Sequence, residues 1–79
     1  MTWEKRASRC LRVEMARREL KFPALARMMS RNGPAVSAQS LRNKVSRGSF
    51  SAAFLLQALT AMECERIQID VGDEVKVPR

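Results

Sequence analysis

The residues with the most usable chemistry lie between Ser37 and Gly48, in the run Ser37-Ala38-Gln39-Ser40-Leu41-Arg42-Asn43-Lys44-Val45-Ser46-Arg47-Gly48. At 100° per residue, Gln39, Ser40, Asn43, Ser46 and Arg47 share one side of a helix, with Arg42 and Lys44 on its flanks. Amides, hydroxyls and guanidinium groups read base edges and hold phosphates in a major groove. A carboxylate would repel that polyanion, and the run has none. This pattern predicts a DNA recognition helix.

Both ends of that helix are written locally. Ser37 can accept from the free amides of Gln39 or Ser40 as an N-cap, and Val36 with Leu41 can staple across it. Gly48 tolerates the positive φ of a helix stop. Ala38, Leu41 and Val45 form the opposite, apolar stripe.

Three further helices are needed to hold this one. Thr2 caps a first, from about Trp3 to Glu19, whose stripe is Trp3, Ala7, Cys10, Leu11 and Met15. Glu14 falls inside that stripe and needs a partner. Arg18 stands at i+4, and Lys44 or Arg47 could reach across from the third helix. The long-range pairing is favoured, because it would clamp the first helix to the recognition helix. Pro23 suits the first turn of a second helix, with Leu25, Met28 and Met29 inward and Arg27 and Arg31 outward. Asn32-Gly33-Pro34 breaks it. Ser49 or Ser51 caps a fourth helix, Ala52 to Met62, with Phe50 locking its start.

Between Ala52 and Met62 only Gln57 and Thr60 are polar, so this helix is expected to be covered nearly all round. Some of that cover is assigned to a second copy, with Phe54, Leu55, Leu59, Met62, Ile67 and Ile69 at the contact. The tail changes period. Ile67, Ile69 and Val71 alternate with polar residues as in a strand, and Gly72-Asp73 could turn the chain into a second strand. That hairpin must pack on the helices or pair with another subunit's tail. The expected organisation is therefore a mainly α domain of four helices over residues 1–64, followed by a β-type tail over 65–79.

Charge follows the same division. Of the net +7, residues 1–50 carry +9 (12 Lys/Arg, 3 Asp/Glu) and residues 51–79 carry −2 (3 Lys/Arg, 5 Asp/Glu). The positive half is the one containing the candidate recognition helix, as a footprint for a polyanion requires. Catalysis lacks its usual parts. There is no histidine, no cysteine beside a base, no carboxylate pair in an apolar setting and no Gly-rich phosphate loop. Cys10 and Cys64 have no metal-ligand spacing. Neither an enzyme nor a cofactor, metal or small-molecule ligand is expected. With no signal peptide or membrane-length apolar run, the expected location is cytoplasmic.

Residues 11–64 resemble the helix-turn-helix domain of the lambda-repressor/Cro-like (Xre) superfamily. The resemblance rests on Leu20, Leu25-Ala26 and Met29, then Val36-Ser37, Leu41 and Val45, then Arg47-Gly48 and the apolar fourth helix. More narrowly, Leu41 to Phe54, with the pattern RNKxxRGxFSAAF, is similar to a small bacterial domain family of unknown function. The superfamily resemblance implies a homodimer on two-fold related half-sites of double-stranded DNA. By position, Gln39, Ser40 and Asn43 would reach bases. Ser37, Arg42, Lys44 and Arg47, with Arg27 and Arg31, would face phosphates. Two features depart from that pattern: Phe22 and Pro23 replace a polar backbone contact, and the Ser30-to-Val36 connection is long. The resemblance implies a transcriptional regulator, a repressor acting by occlusion. An alternative is a protein-interaction or antitoxin-like module using the apolar fourth helix and the tail, and a non-specific or RNA-binding basic protein is a third.

Overall fold

A computed structural model of the chain describes residues 2–31 and 33–69. Four helices occupy most of that span: α1 (Trp3–Arg17), α2 (Phe22–Arg31), α3 (Ala38–Arg47) and α4 (Ala52–Ala61). Three of them start at a hydroxyl. Thr2, Ser37 and Ser51 accept from the backbone N–H groups of Lys5, Ser40 and Phe54 at 3.1, 3.0 and 3.0 Å. Each bond satisfies a donor that the helix itself leaves open.

The helix ends are equally defined. Beyond α1, Leu20 N–H donates to Met15 O and Glu19 N–H to Ala16 O. Beyond α4, Cys64 N–H donates to Leu59 O and Glu63 N–H to Thr60 O. Both are Schellman closures, which place one residue in the left-handed region. Here that residue is a glutamate each time, Glu19 at φ 53° and Glu63 at φ 60°. At the end of α3 the same place is taken by Gly48, at φ 69°.

Helices of 10 residues, as α2, α3 and α4 are, are too short to persist alone and depend on packing. Leu11, Leu25, Leu41 and Val45 are fully enclosed, one or two from each of α1, α2 and α3. Met15, Ala26, Phe54, Ala58, Leu59 and Met62 complete the core. Each large apolar side chain so buried contributes roughly 1.5–3 kcal/mol. Close backbone approaches run from each of α1 and α2 to both α3 and α4. Phe50, just ahead of α4, lies with its ring 5.3 Å from that of Phe54.

Four expectations change. Trp3 does not join the core: it is 66% exposed, with Arg6 over its ring. Glu14 is buried and pairs locally, not with Lys44 or Arg47. Its Oε1 accepts from Arg18 Nη1 at 2.9 Å and its Oε2 from Arg17 Nη1 at 3.3 Å. One turn of helix brings these guanidinium groups alongside without any reach across to α3. Arg18 Nε also donates to Met62 O at 3.1 Å, so this clamp ties α1 to the end of α4.

The fourth helix is not covered all round. Phe54, Leu59 and Met62, expected at a subunit contact, are buried within this one chain, and Leu55 and Ile67 are partly buried against the same core. Leu56 is the large side chain left outside, at 63%. Finally, Ile67 and Ile69 are not in a strand: residues 64–69 carry no regular structure. Ile67 packs on the helices instead, and Ile69 is exposed. The rest of the expected hairpin, 70–79, lies outside the described residues. No described helix is long and apolar enough to cross a membrane.

Candidate nucleic-acid interface

Burying Leu41 and Val45 turns the opposite side of α3 outward. Gln39, Ser40, Arg42, Asn43, Lys44, Ser46 and Arg47 are all exposed. The two amides are already arranged with respect to each other: Gln39 Nε2 donates to Asn43 Oδ1 at 3.1 Å. That leaves the Gln39 carbonyl and both Asn43 N–H groups pointing to solvent. Ser37 Oγ is occupied as acceptor in the N-cap but retains its own O–H to donate.

The cations on the flanks rest on aromatic rings. The Arg42 guanidinium lies 5.5 Å from the Phe22 centroid, and Lys44 Nζ lies 5.0 Å from that of Phe54. Such contacts hold a charged head in place while leaving its charge available. Arg12 approaches the same Phe22 ring at 5.6 Å. It also donates from Nε to Ser8 Oγ at 3.1 Å and from Nη2 to Ser46 Oγ at 2.9 Å. One side chain of α1 therefore fixes both the start of α2 and the outer side of α3.

The remaining contacts set where α3 sits. Gly48 is buried against α1, and a Cβ there would overlap the backbone carbonyl of Glu4. The turn before α3 is closed by Ser30, whose Oγ donates to Ala26 O at 2.8 Å and accepts from Val36 N–H at 2.9 Å. That bracket holds the long connection which separates α2 from α3. At the other end of α2, the α1–α2 turn and Arg42 of α3 border an open groove of about 720 Å³. Arg12, Lys21, Arg27 and Arg42 border it, with Phe22 in its wall and Glu19 as its acidic member.

Of the side chains singled out from sequence, Ser37, Gln39, Ser40, Arg42, Asn43, Lys44 and Arg47 share one exposed helix with its cap. Arg27 and Arg31 are exposed on α2. Arg12 and Lys21 join this cationic region without having been singled out. Arg12 reads as one more solvated cation of α1, and only the position of Phe22 in space reveals its use. Among the described residues, no cluster of His, Cys, Asp and Glu could hold a metal ion.

A family model described as Domain of unknown function (DUF6471) matches residues 3–67. No curated protein and no solved structure matches the chain.

Proposed function

Since the chain belongs to the DUF6471 family of domains of unknown function, we propose a function from its own surface: it binds double-stranded DNA, with α3 in the major groove. The observation that carries this reading is the outer side of α3, exposed along its length, cationic on both flanks and free of carboxylates. Gln39, Ser40 and Asn43 are the base-reading groups. Arg42, Lys44 and Arg47, with Ser37, Arg27 and Arg31, are the phosphate contacts. The groove walled by Arg12, Lys21, Arg27 and Arg42 continues that cationic border toward α2. The packing of α2 on α3 supports a helix-turn-helix of the lambda-repressor-like kind.

In this reading phosphate neutralisation supplies most of the affinity, and a bidentate amide or guanidinium contact adds about 1–3 kcal/mol of discrimination per base. Occupying a site is enough to block another protein there, so repression by occlusion is the simplest regulatory use. Fluorescence anisotropy on a labelled duplex tests the reading. For roughly five neutralised phosphates per copy, affinity should fall about five hundredfold between about 50 and 200 mM salt. The absence of saturable binding at low salt would refute it.

A further inference from the structure

We propose that two copies of this chain associate through the outer face of α4. Ala53, Leu56, Gln57 and Thr60 stand at i, i+3, i+4 and i+7 and are all exposed, so they form one helix face. Leu56 projects from it. Beside Leu56 lies a concavity of about 370 Å³ whose apolar walls include Met28, Met29, Val36 and Ala61. A projection and a receiving groove on one face are what a two-fold contact needs, because each copy then supplies both halves.

Charge selects a second copy as the occupant. The chain carries +7, yet no residue of α4 and none lining this groove is ionisable. The two other concavities described have Arg27 in their walls, joined by Arg12, Lys21 and Arg42 in one and Arg31 in the other. Like-charged molecules repel wherever their cations meet, so two copies approach at least cost through an uncharged face. An acidic partner protein would gain its attraction elsewhere, on α2 and α3.

The polar groups of the face also tolerate burial. Thr60 Oγ1 already donates to Leu56 O at 2.7 Å, so covering it strands no hydroxyl donor. The Gln57 amide has both donors and an acceptor and can pair with its own two-fold mate. Ala53 leaves room for the two helices to come close. No residue of α3 belongs to this face or lines its groove, so the association does not use the outer side of α3.

Sedimentation equilibrium without nucleic acid tests the contact independently of any DNA binding. The mass should climb with concentration toward twice the 9.0 kDa of one chain. Leu56→Glu should raise the dimer dissociation constant about thirtyfold or more, as for a buried anchor residue. Helicity by circular dichroism should stay unchanged. If Leu56→Glu loses helicity, Ala53→Arg decides in its place. Asn43→Ala, on α3, should dimerise as the parent does. A parent chain that stays monomeric at high concentration, leaving the face to another occupant, overturns the proposal. So does a dimer that both α4 substitutions leave intact, or one that Asn43→Ala weakens equally.

Discussion

Arg12 on α1 donates through Nη2 to Ser46 Oγ on α3 at 2.9 Å, a bond between residues 34 positions apart that holds the candidate reading helix against the first. The same guanidinium donates to Ser8 Oγ and lies over Phe22. Arg12→Met keeps most of the stem and loses the two hydrogen bonds and the ring contact. It is expected to lower stability by about 1 kcal/mol, the small end of such terms because the group is exposed. Ser46→Ala should cost less. A urea midpoint unchanged in Arg12→Met would rule this linkage out.

Gly48 is constrained twice, by its φ of 69° and by the Glu4 carbonyl. Gly48→Ala must take the left-handed conformation, at roughly 1–2 kcal/mol, and must also push α1 away. A total loss above about 2 kcal/mol is expected in thermal or chemical unfolding. Gly33→Ala is the control. Its nearest neighbour would be Met29 O at 3.9 Å, an ordinary contact, and its stability should barely change.

Glu19 and Glu63 hold left-handed backbone at two helix ends where glycine is the usual solution. Glu19→Gly and Glu63→Gly should each stabilise the chain by about 0.5–1 kcal/mol, since relief of strain at such a site outweighs the added freedom of the unfolded chain. The two sites terminate different helices, so the effects should add. Destabilisation by both would show that the glutamate side chains contribute something the backbone geometry conceals.

Burial is the main reason the Cys10 thiol is pushed above its ordinary value, with the charges of Glu14 and Cys64 acting in the same direction. The thiolate is the reactive form. Cys10 should therefore alkylate more slowly than an unhindered thiol near neutral pH, and its rate should still be rising with pH where a free thiol has levelled off. Stability follows in sign: the contribution is full below the unfolded thiol's pKa and is lost as pH rises through the folded one. Cys10→Ala should remove that alkaline decline, and a decline that persists unchanged would assign it to other groups.

Local chemistry was the legible part of this fold. Thr2, Ser37 and Gly48 mark helix ends by what they can bond or how they can bend, and the two sides of α3 follow from spacing alone. What needed coordinates was a choice among similar partners. Glu14 had cations within reach on α1 and α3, and nothing in their types separates them. The composition of α4 implied all-round cover, whereas alanines at 52 and 53 tolerate water and leave only Leu56 conspicuous. Alternation at Ile67 and Ile69 suggested a strand, but Ile67 meets the core without one. Phe22, which stands where the resemblance would place a polar backbone contact, is the ring that gathers Arg12 and Arg42 at the edge of the candidate interface.

The central claim concerns where DNA binds, not merely that a cationic chain attracts it. Arg47→Glu on α3 and Arg66→Glu beyond α4 make the same change in net charge at exposed positions. Measured by anisotropy on one duplex at low salt, Arg47→Glu should weaken binding more than about tenfold and Arg66→Glu less than about threefold, the difference between a lost phosphate contact and a change in overall charge. Equal losses in the two variants would contradict the assignment of α3 as the interface.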